Sequence, residues 1–415
     1  MNTIRSVSPA SRPYDLRFMR VIVGAALVVA LGLNAPSTAH AATRCVVAGT
    51  HTGGARGFVV ARPHHSVLEH VAVAAKPCAT TVWVDPRGGP LHAVSVVGPG
   101  WSGTIHSHAT RVDGLIGAPQ LANGDFRGGG HANLERLEQR LDRTRHSVLR
   151  VRILLAAILI ALALVAPRRA VMAAASAIAA ALVLSAAGST SLTLLALLTL
   201  AGSLLPWRAL WLFFAAYLLV LVLSPETQSL ALVGPHPWGA GRFYGISNEL
   251  ETLVLGPALV LGLAAAPLVL LTVGWSRAGG DGGGLLVLLA AYASLVTHRR
   301  LAAGAAIVLA VLFVLLDAAT GGSNHVTHSV LHGGLPHDIW HRWNVSWHGA
   351  TGTWGRTVLS LICLAVLGLI AARRPRSRIV DAFLVGIVVS LVANDTPQDI
   401  LLWGAITGLG LRRAV

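Results

Sequence analysis

The sequence of 415 residues is poor in charged side chains, which make up only 12% of it. Asp and Glu together contribute 17 residues, and Lys76 is the only lysine, so arginine carries nearly all of the net charge of +15. Hydrophobic residues make up 54%, and the mean hydropathy is +0.66. Since a soluble domain has about 25% charged residues, this composition excludes that class and favours a membrane protein with repeated apolar helices.

The arginines stand in short clusters between apolar runs rather than along one basic face. Short clusters are typical of signals that orient membrane helices, whereas a nucleic-acid partner would favour a continuous basic surface. We therefore expect membrane lipid as a partner and no nucleic acid. No cofactor is indicated by any motif of the sequence.

Cysteine is scarce, with three residues in the chain. Cys363 lies inside an apolar run and is expected to be a small buried hydrophobe. Cys45 and Cys78 follow a segment that resembles an export signal, so they are expected in an oxidising compartment. We predict a disulfide bond between Cys45 and Cys78, with two free thiols as the alternative.

Four parts follow one another along the chain. Residues 1–41 are typical of a signal peptide, because arginines precede the apolar stretch 21–33 and a small-x-small motif ends at Ala41; a retained anchor is the alternative. Residues 42–130 contain short β-rich runs and Gly/Pro turns, which predict a small extracytoplasmic α/β domain. Residues 131–150 predict an amphipathic stalk helix, and residues 151–415 predict the multi-span membrane domain.

Eleven apolar runs lie within residues 151–415. They occupy about 151–166, 170–187, 191–206, 209–224, 249–264, 266–276, 284–297, 301–316, 356–371, 379–393 and 399–411. If each run crosses the membrane, most of the arginine clusters fall on the inner side, as the positive-inside rule requires. The predicted fold class is therefore an all-α polytopic protein of the cytoplasmic membrane with about 11 apolar runs and a small extracytoplasmic α/β domain.

The stretch from Gly234 to Glu251 interrupts the apolar runs with polar residues. Four glycines and two prolines are expected to keep its backbone out of a helix until about Ser247. Irregular backbone between spans is tolerated where it lines a cavity or is buried in protein. We predict a site here, formed by Arg242, Tyr244, Asn248 and Glu249. The alternative for the acids is a helix start, with Asn248 as N-cap and Glu251 completing a capping box.

Three further stretches contribute candidate residues. Asp281 stands in a glycine run, which allows close approach to a ligand, although a plain flexible turn explains it equally well. Residues 323–348 contain six histidines, which could form a metal site or, together with tryptophans, an interfacial belt; we expect the belt and no metal. Arg342 of that stretch suits a phosphate or carboxylate. Asp395 precedes a helix start in which Thr396 is the expected N-cap and Pro397 the first residue.

The motif G-R-F-Y-G-I-S-N-E at residues 241–249 resembles the signature of a family of uncharacterised bacterial multi-pass envelope proteins. The later Asp281 glycine run and the Asn394-Asp395 pair resemble motifs of that family in the same order. Members often carry an outer domain similar to the alkaline phosphatase superfamily, and residues 96–123 resemble only the tail of such a domain. The resemblance implies architecture and site positions, but no hydrolase activity and no known reaction.

The residues and the resemblance together lead to one functional hypothesis and two alternatives. The hypothesis is an outward-facing polar site that handles a lipid-linked or anionic polymeric envelope precursor, as a transferase or assembly factor. The arginines and Tyr244, Asn248 and Asp281 would bind the substrate, and Glu249 or Asp395 would act as base. A secondary transporter using the same vestibule is the first alternative, and a structural scaffold is the second.

Overall fold

The computed structural model describes residues 44–60, 80–85, 91–239, 243–296, 299–319, 340, 343–344, 346 and 348–415. The predicted signal segment lies outside the described residues. So do Cys78 and the side chain of Cys45, and with them the predicted disulfide bond.

The small domain is built on a mixed β-sheet. Its seven described strands are β1 (Arg44–Ala48), β2 (Ala55–Val60), β3 (Thr80–Val84), β4 (Leu91–Val97), β5 (Thr104–His106), β6 (Leu115–Gly117) and β7 (Arg127–Gly130), with helix α1 (Ala118–Asn123) between the last two. The order is β1-β3-β4-β2-β5-β7, and β6 pairs with β2. Strands β1 and β3 are parallel, whereas β4 is antiparallel to both β3 and β2. Side chains of β3 alternate between buried and half-buried, as expected when only one sheet face is fully covered.

Twelve further α-helices follow the sheet within the described residues. They are α2 (Leu134–Val165), α3 (Pro167–Ala186), α4 (Leu192–Gly202), α5 (Ala209–Leu223), α6 (Pro225–Ser229), α7 (Asn248–Leu261), α8 (Ala266–Gly274), α9 (Gly282–Leu295), α10 (Arg299–Ala319), α11 (Trp354–Ala372), α12 (Arg378–Ala393) and α13 (Pro397–Ala414). Helix α2 is one continuous element of 32 residues. It covers both the predicted stalk and the first apolar run.

The predicted fold class of about 11 membrane-crossing runs is wrong. Within the described part of the chain, three helices are long and apolar enough to cross a membrane, namely α2, α3 and α11. Helices α7 and α8 would add a fourth span as a pair, but they meet at an angle of 119°. The protein thus combines a mixed sheet with a few apolar helices that could span a membrane.

The run count failed because apolar composition has two causes. A helix that is apolar all round either faces lipid or lies in the core of a large protein. Helix α7 is buried along nearly its whole length, from Glu249 to Leu259, and α9 is buried over most of its residues. At 14 residues each, they are also well short of the roughly 20 residues that a span needs. These helices form the protein core.

The sheet domain and the helices share one hydrophobic cluster. Phe58 and Leu115 of the sheet pack with Leu137 and Leu141 of α2, and Leu230 lies in the same cluster. The ring of Phe243 also reaches the sheet, because a Cβ added at Gly117 would lie 3.0 Å from it. Leu230, Trp238 and Phe243 therefore belong to the cluster that joins the sheet to α2.

Candidate functional site: a buried ion cluster where three helices meet

A buried ion triad joins helices α2, α7 and α13. The Arg152 guanidinium donates to Glu249 Oε2 at 2.6 Å and to Asp399 Oδ2 at 3.2 Å. The Glu249 side chain is 6% exposed, whereas Arg152 and Asp399 retain 32% and 22% exposure. The fully buried indole of Trp403 lies beside Glu249. Such charge-assisted bonds to a guanidinium are among the strongest polar contacts in proteins.

Helix geometry explains where the two carboxylates stand. Glu249 and Asp399 both lie in the first turn of their helices, where the positive end of the helix dipole favours a negative charge. Arg152 lies inside α2, next to the buried Val151. Sequence analysis missed Arg152, because we assigned the arginines beside apolar runs to orientation signals. The signal in the sequence was that Arg152 directly adjoins an apolar run. A charge at such a position in a membrane helix is costly unless it has a partner.

Asn248 joins the start of α7 to the turn between α12 and α13. Its side-chain amide donates to Asp395 Oδ1 at 3.2 Å and to Thr396 Oγ1 at 2.8 Å. Ser247, not Asn248, is the N-cap residue of α7, so the capping box considered for Asn248 and Glu251 does not form. Asp395 is exposed. The structure therefore holds Asp395 at the surface, in contact with the side-chain amide of Asn248 at the start of α7.

A second carboxylate of α7 is buried more deeply. Glu251 is 1% exposed, and its Oε2 accepts a hydrogen bond from Asn394 Nδ2 at 2.8 Å. The same amide nitrogen donates to Ser390 Oγ at 3.0 Å. Asn394 is itself 1% exposed. This pair links α7 to the end of α12 in the protein interior.

The glycine run after Asp281 allows the start of α9 to lie directly against Asn394 at the end of α12. A Cβ at Gly283 would overlap Asn394 Oδ1, and one at Gly284 would lie 2.8 Å from Asp281 Oδ2. Asp281 is 2% exposed and precedes the first turn of α9. The run is therefore part of a buried helix start, not the plain flexible turn that was its alternative.

Tyr244 connects the loop before α7 to the loop before α9. Its hydroxyl donates to the Ser276 carbonyl at 3.0 Å. Ile246 N–H donates to the Gly279 carbonyl at 2.9 Å. Gly245 between them has φ +82, and a Cβ there would overlap that same carbonyl oxygen. Glycine is therefore required at 245 by both its backbone conformation and the close approach.

Arg111 of the sheet domain reaches the same loop. Its guanidinium carbon lies 4.2 Å from the centroid of the Tyr244 ring, a cation–π geometry. Arg111 belongs to the stretch that resembles the tail of a phosphatase-like domain, but sequence analysis gave it no role. The sheet domain thus contributes a positive charge next to a predicted site residue.

His236 is a half-buried neighbour of the ion triad. It has φ +55, and its ring contacts that of Trp238 in a tilted arrangement with ring centroids 4.8 Å apart. Burial, and to a smaller extent the positive charge of Arg152, lower the pKa of His236 from its ordinary 6.5 to about 3. His236 is therefore neutral at physiological pH.

The structure brings together most of the predicted site residues that it describes. Asn248 contacts Asp395, and Glu249 follows Asn248 in the first turn of α7. Asp281 and Asn394 lie on either side of Gly283. Arg242 and Arg342 lie outside the described residues, as do five of the six histidines of residues 323–348. Among the described residues, no group of three or more His, Cys, Asp or Glu side chains is arranged to hold a metal ion.

Comparisons with known proteins add no relative. A scan against protein-family models, a search of curated proteins and a search of solved structures each found no match. The resemblance to the envelope family therefore stays a prediction carried by its motifs.

Proposed function

We propose that the protein is an envelope-assembly protein that handles an anionic, lipid-linked substrate in a transferase-like reaction. The observation that carries this proposal is Asp395, an exposed carboxylate held by Asn248 at the surface of a partly buried polar cluster. The other carboxylate predicted as a base, Glu249, is occupied by Arg152. Asp395 is therefore the better general base, and Glu249 is a positioning residue.

An amphiphilic substrate suits the place where the site lies. The polar cluster is formed at helix starts, close to the junction with the sheet domain. Helices α4, α5 and α11 expose leucines such as Leu197, Leu212 and Leu361 at 57–73%, as lipid-facing helices do. A lipid-linked molecule would keep its chain against such helices and bring its polar head to the cluster.

The charges indicate where the anionic group would bind. The ion triad contains two carboxylates and one guanidinium, so it does not attract an anion. Arg111 lies against Tyr244, which is four residues before Asn248 and hence within about 14 Å of it along the chain. We expect Arg111, together with the predicted Arg242, to hold the anionic group while Asp395 accepts the proton of an acceptor hydroxyl.

The arrangement of arginines supports an extracytoplasmic position for the sheet domain and the site in the cytoplasmic membrane. At the opposite end of the helices, Arg413 donates to the Ala163 and Leu164 carbonyls, and Arg412 donates to the Arg373 carbonyl. Arginine-rich turns are retained on the inner side of a membrane. The signal-like segment before the sheet domain agrees with this orientation.

Complementation of a strain that lacks the gene tests the proposal. Asp395→Asn should reach the membrane at normal levels and fail to restore function, because an amide cannot accept the proton. Asp381→Asn is the matched control, since Asp381 pairs with Arg376 in another turn. Native mass spectrometry of the purified Asp395→Asn protein should show a retained anionic lipid-linked molecule, and Arg111→Gln should lose it. Full rescue by Asp395→Asn would remove the proposed base.

A secondary transporter is the second candidate, favoured by the sharp bend between α7 and α8. Pro257 lies within α7, and Gly262 ends it with φ +74. Broken helices with buried polar groups are typical of transporter binding sites, and Glu251 is such a group. In proteoliposomes given a proton gradient and an envelope-precursor extract, a proton-coupled transporter should change the internal pH, and Glu251→Gln should abolish that change. A transferase should leave the internal pH unaltered in both proteins.

A further inference from the structure

An open cavity lies at the arginine-bearing end of the helices, far from the ion triad along α2. Its volume is about 450 Å³, within the range of pockets that hold small ligands. It lies between the start of α3 and the turn that joins α4 to α5. The residues that line it include Arg168 and Arg169 on one side and Leu204, Leu205 and Trp207 on the other.

The polar side of the cavity is suited to an anion. Arg168 and Arg169 are exposed and follow Pro167, the first residue of α3. Two guanidinium groups at the positive end of a helix attract phosphate through charge and through directed N–H groups. None of the described residues lining the cavity is acidic, so no carboxylate competes for these arginines from within it.

The other side of the cavity is suited to an acyl chain. Leu204 and Leu205 are 62% and 53% exposed, and Met172 forms part of the wall. The adjoining helices α4 and α5 also expose large apolar side chains, including Leu200 at 41% and Leu212 at 73%. Trp207 is half-buried at this boundary, the position that tryptophan favours at a membrane–water interface.

We propose that this cavity binds the phosphate headgroup of an anionic phospholipid, with Arg168 and Arg169 on the phosphate and Leu204 and Leu205 against the acyl chain. A free phosphate ion would use the arginines but leave the leucines in water. The leucine wall continues into the apolar surface of α4 and α5, which favours the lipid as the occupant. This site is separate from the proposed substrate site and does not depend on it.

Native mass spectrometry from nanodiscs tests the proposal. The full-length protein is inserted into equimolar phosphatidylglycerol and phosphatidylcholine, released, and scored for retained phosphatidylglycerol. One basic residue near an anionic headgroup is worth about fivefold in binding. Removing one arginine should therefore reduce retention about fivefold, and Arg168→Gln with Arg169→Gln about thirtyfold. The lysine pair at the same positions keeps both charges and should retain most of the lipid.

Arg208 provides the matched control. It is exposed and adjoins Trp207, but it does not line the cavity, so Arg208→Gln should retain lipid like the wild type. Circular dichroism verifies that each variant keeps its helices, and the two single glutamine variants, each with an expected loss of about fivefold, replace the glutamine pair if it unfolds. Equal losses in Arg208→Gln and the double variant would overturn the proposal. Displacement of the lipid by inorganic phosphate would also overturn it, because the acyl chain would then contribute nothing.

Discussion

Replacing Arg152 by glutamine should destabilise the protein by about 3 kcal/mol. The change removes the cation that Glu249 and Asp399 share, and glutamine cannot reach both carboxylates with charged donors. Loss of one partner from a buried pair costs about 3–5 kcal/mol, because the remaining charge is left in a medium of low polarity. We expect the lower end of this range, since Arg152 and Asp399 retain 32% and 22% side-chain exposure and water can solvate them in part.

The free energy of unfolding can be measured by titrating the purified protein in mild detergent with sodium dodecyl sulfate while following helicity. A double-mutant cycle with Glu249→Gln then isolates the pair. Because Glu249 is the most buried member of the triad, removing it together with Arg152 removes the buried unpaired charge. The double variant should therefore be more stable than the sum of the two single losses predicts.

Arg150→Gln is the control for the Arg152 experiment. Arg150 lies on the same helix, is exposed, and donates only to the His146 carbonyl among its described contacts. Its loss should cost no more than about 1 kcal/mol. A loss below 1 kcal/mol for Arg152→Gln, or strictly additive losses in the cycle, would show that the triad does not stabilise the fold.

Three further predictions concern the surroundings of the site. Because the unfolded chain protonates His236 near pH 6.5 and the folded chain only near pH 3, stability should fall as the pH is lowered through that window, by at most about 1.4 kcal/mol per pH unit. If the free energy of unfolding of His236→Gln falls with pH as steeply as that of the wild type, this prediction is wrong. Gly283→Ala should destabilise the fold by about 1–3 kcal/mol, because its Cβ would overlap the Asn394 amide; Gly368→Ala, with open space around it, should show no such loss by thermal melting. Tyr244→Phe should lose about 1 kcal/mol with its one hydrogen bond to the neighbouring loop, and an unchanged melting temperature would refute that estimate.

The polar positions of the site were predictable from sequence, but the partners were not. Asn248, Glu249 and Asp395 stand out because they interrupt apolar runs at helix starts, a local feature. The Arg152 partners are 97 and 247 residues away in the chain, and hydrophobic periodicity contains no information on such pairs. An arginine beside an apolar run predicts that a partner exists, not which acid it is.

The span count shows the same distinction between local and long-range information. The sequence of helix α9 is the same kind of apolar run whether the helix faces lipid or other helices. The glycines of its first turn are apparent in the sequence. The reason for Gly283 is Asn394, which lies at the end of α12 and leaves no room for a Cβ. Burial by other helices is a property of the whole fold, so a window of sequence overestimates the number of membrane crossings.

Helix length relates the ion triad to the membrane. Asp399 lies near the first residue of α13 and Arg413 near its last, and this helix of 18 residues is about 27 Å long. The hydrocarbon core of a bilayer is about 30 Å thick. If α2 spans a membrane with α13 packed beside it, and the arginine-bearing end lies at one headgroup layer, the triad lies close to the opposite boundary of the hydrocarbon core. Charges at that depth are costly unless paired, and Arg152 is paired with two carboxylates.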